Sequence, residues 1–371
     1  MQLFVFLVFC IFIAATLIQL GYWLFLFSRL AFYQEPPPAA AETIQKPVSV
    51  VICVRNEYEN LRQNLSYFLD QDYPDFEVIV VNDHSFDKSL AFLLNLQRKS
   101  RILRVVDLKE ATLPGKKAAL TEGIKAAKNG IILVSDADCR PCSPNWINKM
   151  QSVIQQKVAI GLGYSPYTSK RGFLNVFIRF ETVYTACQYF SFALVGLPYM
   201  GVGRNLIYTK SLFFEQGGFD QHAHIASGDD DLFINQVATG NNTRIILNSD
   251  AFVISFPKRT WKGYYHQKSR HLTTGIKYKP VHKLLLGTLS ASHFLHYLCA
   301  FILLCHCDFS LIISIYLVRI GVVYFMYTRI LKRLNDTSLL KWIPILDAVY
   351  IGYYLLFLPT LLIGNSHKPW T

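Results

Sequence analysis

The chain has 371 residues, of which 52% are hydrophobic, 14% aromatic and 17% charged, with a formal net charge of +12. That composition excludes intrinsic disorder and is too apolar for an ordinary soluble domain, so part of the chain belongs in a bilayer. The basic surplus is gathered beside the apolar segments, which points to anionic lipid headgroups or to phosphates in a site, and argues against nucleic acid as a partner.

Gln2 to Ser28 carries no charged residue. This run is longer than a signal-peptide core of roughly 7–15 residues and lacks a basic start. Residues 3–27 therefore read as a retained membrane helix within an N-terminal segment 1–30, with a cleaved signal as the competing reading. Residues 31–46 hold Pro36-Pro37-Pro38 and form a stiff linker.

A globular domain is expected over 47–282. The β-branched run from Pro47 to Val54 ends at Arg55-Asn56-Glu57 and reads as a buried parallel strand. "ENLRQNLSYFLDQ" has apolar residues at 61, 65, 68 and 69, one face of a helix. A second strand, Glu77 to Val81, ends at Asn82-Asp83. The rhythm continues with a helix over 87–100, a strand over 102–107, a helix over 116–128 and a strand over 130–135. Alternating strands and helices predict an α/β, doubly wound sheet, which binds ligands beyond the carboxyl ends of its strands.

On that rim fall Glu57, Asp83, Asp136 and Asp138. Asp136 and Asp138 are either a metal site or the acidic end of a strand. Successive strand ends that all carry carboxylates favour the metal. No GxGxxG follows the first strand and no GxxxxGK[ST] occurs, so a bound nucleotide must be held by side chains and a metal. Cys139 and Cys142 form a CxxC without a second ligand pair, and read as reduced cysteines rather than a zinc site.

Residues 171–200 are apolar and aromatic but carry Arg179 and Glu181 mid-segment, which predicts an interfacial helix rather than a span. A second is expected near 258–282. The region 283–371 holds three apolar segments, at 284–306, 309–330 and 343–364, each long enough to cross a bilayer. Arg319 and Asp347 inside them must pack against one another or against the globular domain. Ser255 to Lys283 contains eight Lys or Arg and no acid, and Arg29, Lys332, Arg333 and Lys341 are also basic. By the positive-inside tendency the globular domain is cytoplasmic, with the loop near 306–309 and the tail from 365 outside. The inner or plasma membrane of a bacterium suits that arrangement. The sequons at Asn64, Asn241 and Asn335 then face the cytoplasm and are chance matches.

The segments "VSVVICVRNEYENL", "EVIVVNDHSFDKS", "GKKAAL", "VSDADCRP", "GVGRNLIY", "GGFD", "GDDDL" and "QKSRH" follow one another in an order that resembles membrane-bound glycosyltransferases of family 2, over residues 47 to 271. The resemblance implies a GT-A fold, a Rossmann-like doubly wound catalytic domain flanked by transmembrane helices. It also implies transfer of a sugar, with inversion, from a nucleotide-sugar donor, UDP-linked in the favoured reading, to a lipid or lipid-linked acceptor. Asp83 would then recognise the base, Asn56 and Glu57 would lie beside the nucleoside, and Lys116 would stand near the donor at a helix start. Asp136 and Asp138 match the DxD that holds Mg²⁺ or Mn²⁺ and the ribose. Asp229 aligns with the catalytic base and Asp230 is the alternative, because Gly228 stands where the motif often has Glu; a helix N-cap cluster is the structural reading of the same acids. Arg204 and Asn205 would line the sugar or acceptor side, or serve packing. Gln267 and Arg270 match QxxRW, with His271 replacing Trp, and Arg270 would neutralise the departing diphosphate. A processive polysaccharide synthase and a non-catalytic scaffold are the alternative functions.

Overall fold

The computed structural model describes residues 2–35, 45–109, 115–155, 157–306 and 309–363, so the proline run at 36–38, loop residues 307 and 308 and the tail from 364 lie outside the described residues. Four strands open the sheet: β1 (Val48–Val54), β2 (Phe76–Asp83), β3 (Leu103–Leu108) and β4 (Ile131–Asp136). They run parallel in the order β3-β2-β1-β4. Every residue of β1 is buried, as a β-branched run must be when helices cover both faces of a parallel sheet.

Alternation along these strands divides the core. Val51, Cys53, Ile79, Val81, Ile132 and Val134 face one side, while Val50, Ile52, Val78, Val80 and Leu133 face the other. The second side is covered by the Tyr58–Leu69 and Trp146–Gln151 helices through Leu61, Leu65, Phe68, Trp146 and Met150. The first is covered by the Lys117–Ala126 and Phe173–Leu194 helices, and its core runs on without a break into Trp23, Phe27, Tyr327 and Tyr350 of the apolar helices.

Beyond β4 the sheet departs from a uniform parallel pattern. After β5 (Cys139–Pro141) and β6 (Ile160–Leu162), strand β7 (Leu206–Thr209) pairs antiparallel with β4 and with β6. β8 (Thr243–Ile245) adds to β6, and β9 (Val253–Ser255) pairs with β5 in a separate two-stranded sheet. β5, β6, β8 and β9 are only three residues long, too short for an alternation to be read from sequence.

Among the described residues, four helices are long and apolar enough to cross a membrane: Gln2–Ala31, Pro280–Leu303, Phe309–Arg333 and Thr337–Thr360. Their buried polar groups pair with one another. Arg319 Nη1 lies 2.5 Å from Asp347 Oδ2, which also accepts from Tyr297 Oη at 2.6 Å, and Gln19 Oε1 accepts from Arg319 Nη2 at 3.1 Å. The Phe173–Leu194 helix lies between the sheet and these helices. Its Arg179 forks onto Asp336, in the turn before the last apolar helix, and its buried Glu181 pairs with Lys268 at 2.6 Å.

Candidate active site

Two close backbone approaches bring the acidic motifs together. Gly115 has a positive φ of 72°, and a Cβ there would sit 2.0 Å from the carbonyl oxygen of Ala226, so only glycine lets the start of the Lys117–Ala126 helix touch the segment before Asp229. Gly203 approaches from the other side: a Cβ would meet Asp230 Cβ at 3.1 Å, and its N–H donates to Asp230 Oδ2 at 2.7 Å. Lys117, fully buried, fastens the same segment by donating to the carbonyls of His222 (2.6 Å) and Ile225 (2.7 Å).

Lys116 then stands among three motifs. Its ammonium donates to Asp136 and lies 3.8 Å from Asp229 Oδ2. Burial works to raise the Asp136 carboxyl, but Lys116 overrides it and holds the group below the usual carboxylate range. Asp138 is pushed up by burial and then by the charge of Asp136. Asp136, Asp138 and Cys139 bring their donor atoms within 4.8 Å of one another. Burial raises the Cys139 thiol well above its ordinary range, so it stays protonated and donates to Asp138 Oδ1 at 3.2 Å. That leaves two carboxylates as ligands, a donor set that fits a hard cation such as Mg²⁺ or Mn²⁺, and a cation there would relieve the repulsion between them.

The three aspartates of "GDDDL" part company. Asp230 caps the Asp231–Val237 helix, accepting from Asp231 N at 2.8 Å and from Gly203 N, so both its oxygens are committed to backbone; burial and then Asp229 and Asp231 push its carboxyl up to about 7. Asp231, which also lines the cavity, accepts from Thr274 Oγ1 and from Tyr278 Oη (2.6 Å). Asp229 opens onto the cavity beside Lys116.

The cavity has a volume of about 1110 Å³ and is lined by Glu57, Lys116, Asp136, Asp138, Arg204, Asp229, Asp230, Gln267, Arg270 and His271. Arg204 lies across the Tyr167 ring at 4.7 Å, and its Nε is buried with no hydrogen-bond partner. Gln267, Arg270 and His271 come from the Trp261–Leu272 helix. Asn56 and Asp83 are not part of that lining. Asn56 caps a turn by accepting from Phe86 N at 2.8 Å, and buried Asp83 lies 2.8 Å from His84 Nδ1 and 4.0 Å from Arg55.

Asn205 takes up the packing role of its two readings. It is fully buried, donates to the carbonyls of Tyr164 (2.7 Å) and Ala251 (2.8 Å), and accepts from Trp146 Nε1 at 3.0 Å. Its polar atoms are consumed in joining the start of β7 to the loop before β9, and it is not among the residues that line the cavity. Conversely Glu181, Lys258 and Lys268 line the cavity although the motifs assign them no role; the signal in the sequence was a charge inside an apolar segment for Glu181 and the basic run 255–283 for the two lysines.

Residues 131–361 match the model of Glycosyl transferase family group 2, more than half of the chain. The chain belongs to that family. Residues 49–193 of this family member also match the model of Glycosyl transferase family 2. Among curated relatives, the poly-beta-1,6-N-acetyl-D-glucosamine synthase of Staphylococcus epidermidis is 34% identical over 91 residues, 24% of this chain and 21% of the synthase. Glycosyltransferase AglE of Haloferax volcanii is 29% identical over 191 residues, 49% of this chain and 58% of AglE. The match thus spans about a fifth of the first relative and little more than half of the second. Among solved structures, mannosyltransferase PcManGT from Pyrobaculum calidifontis, in complex with GDP-Man and Mn²⁺, superposes with a TM-score of 0.59 at 19% identity, covering 93% of this chain and 99% of that one. The likeness establishes the GT-A fold of the family 2 chain.

Proposed function

We propose that this chain is an inverting glycosyltransferase that moves a sugar from a nucleotide-sugar, UDP-linked or GDP-linked, to a lipid or lipid-linked acceptor at the cytoplasmic membrane face. One observation carries the proposal: a single cavity joins Asp136, Asp138 and Asp229 to Leu286, Gly287, Phe294, Tyr353 and Leu358 of the apolar helices. A donor held at the charged end and a lipid entering from the apolar end would meet at Asp229.

Asp229 would take the proton of an acceptor hydroxyl: all three acids line the cavity, but the carboxylates of Asp230 and Asp231 are spent on backbone and side-chain donors. Arg204 and Arg270 stand on the cavity wall, where a guanidinium stabilises the charge that develops on a departing diphosphate. Asp136 and Asp138 would hold the Mg²⁺ or Mn²⁺, which supplies charge neutralisation to the diphosphate when bound. The basic residues of 255–283, beside the first turn of the Pro280–Leu303 helix, support the cytoplasmic placement and contact with anionic headgroups. The domain limits 1–30, 31–46, 47–282 and 283–371 belong to the same proposal.

A processive synthase is the second reading, favoured by the tyrosines Tyr184, Tyr350, Tyr353 and Tyr354 on the membrane end of the cavity, since aromatic faces suit a sliding sugar chain. The deciding experiment supplies purified protein in native-like lipid with UDP- and GDP-sugars, Mg²⁺ or Mn²⁺ and lipid extract. Wild type transfers one sugar per acceptor, while Asp138→Asn and Asp229→Asn bind nucleotide or fold as before yet lose transfer by about 10²–10⁴-fold. A product ladder would establish the processive reading, and no turnover of any donor would leave the scaffold.

A further inference from the structure

A second groove runs along the outside of the same membrane helix. It has a volume of about 480 Å³ and lies between the Gln2–Ala31 and Pro280–Leu303 helices, walled by Ile11, Ala14, Ile18, Leu284 and Leu295. Lys283, Gly287 and Ala291 line both this groove and the catalytic cavity. At i, i+4 and i+8 they form one ridge of the helix. The ridge that parts the two spaces is therefore one lysine followed by the two smallest side chains. A Cβ on Gly287 would meet nothing within 4 Å, so the gap above it is open.

We infer that this groove is the seat of the hydrocarbon chain of a lipid phosphate, with the phosphate at Lys283 and the headgroup passing over the Gly287–Ala291 ridge into the cavity. The inference deepens the proposed function and rests on its acceptor being lipid-linked. Three features select this occupant. The groove walls are apolar and lie between two membrane-crossing helices, where only a hydrocarbon chain is available. From Lys283 to Leu295 the helix rises about 18 Å, room for a single extended chain. Lys283 sits in the first turn of its helix, among basic residues; it is exposed and makes no ion pair among the described residues, its contact being the Ile276 carbonyl at 3.4 Å. An ammonium so placed complements a phosphate at headgroup depth.

The test uses the full chain in phosphatidylcholine nanodiscs with a diazirine-bearing polyprenyl phosphate, competed by unlabelled polyprenyl phosphate in one arm and phosphatidic acid in the other. Crosslinks should map to the peptides containing Ala14 and Gly287–Ala291. Ala14→Phe, an exposed position on the far wall, should cut that labelling about tenfold, and Lys283→Gln should weaken apparent affinity about tenfold. Nucleotide binding, measured by calorimetry with UDP and GDP, should stay unchanged in Ala14→Phe. Competition by polyprenyl phosphate alone assigns a polyprenyl chain, and equal competition by phosphatidic acid assigns a diacyl lipid; either supports the site. Labelling that ignores both Ala14→Phe and the milder Ala14→Leu, or that maps only to Tyr353–Leu358, overturns it. If the groove labels as expected while no donor sugar is transferred, the lipid site stands and the enzyme reading falls by itself.

Discussion

Lys116 Nζ stands 3.8 Å from Asp229 Oδ2 while donating to Asp136. One buried ammonium thereby links the DxD pair to Asp229, two motifs separated by about a quarter of the chain. Removing it leaves both carboxylates facing each other in a partly desolvated space. Lys116→Met is expected to weaken donor-nucleotide binding and turnover by about 10–100-fold, the worth of a hydrogen bond to a charged group. Calorimetry with UDP and GDP checks the binding; an affinity equal to wild type would remove Lys116 from the site.

The acids of this region also set a pH dependence of stability. Asp230 titrates near pH 7 in the folded chain but near 4 when unfolded. Glu57, Asp138 and Asp231 are raised as well, each first by burial. Between those values the folded state holds protons that the unfolded state has released, so stability falls as pH rises from about 4 to about 7 and levels off above. Melting in nanodiscs across that window should show the fall. Asp230→Asn should be less stable throughout and show a shallower slope; a melting temperature that climbs with pH would contradict the assignment.

Arg179 and Asp336 join the globular domain to the turn between the last two apolar helices. Both are buried, and Arg179 Nε donates to Asp336 Oδ2 at 3.1 Å. Breaking such a pair strands one buried charge and costs about 3–5 kcal/mol. Arg179→Ala should therefore lower the melting temperature sharply and open the 334–338 turn to protease. Arg179→Lys, which cannot form the two-pronged contact, should recover only part of the loss.

Asn205 belongs to packing by its hydrogen bonds, and a variant checks it. Asn205→Ala strands the Trp146 N–H and the carbonyl of Ala251, while the Tyr164 carbonyl keeps the Val253 N–H at 3.3 Å, and each unsatisfied buried group costs about 1–3 kcal/mol. The variant should melt earlier, while nucleotide affinity of the fraction that remains folded stays at the wild-type value. A selective loss of donor affinity at unchanged stability would restore Asn205 to the site.

Much of this arrangement is legible in the chain itself. β1, β2 and β4 are β-branched runs long enough to show that both their faces are buried, and the acids follow each run directly, so the rim of the sheet could be located residue by residue. The apolar helices announce themselves by length, because a bilayer demands about 20 predominantly apolar residues in succession. The departure of Asn205 was not legible: the alternation that points its neighbours is local, but the three groups it satisfies come from residues 146, 164 and 251.

What the sequence by itself determined was the set of elements and the chemistry at their ends, since propensity, periodicity and span length are properties of short contiguous stretches. Contacts across the fold settle which of three adjacent cavity-lining aspartates is left uncommitted, because hydrogen bonds from Gly203, Thr274 and Tyr278 engage the other two. Only the tertiary structure decided that the charged cavity and the membrane groove share one ridge of a single helix. Those outcomes depend on contacts between residues far apart in the chain, and no local pattern encodes them.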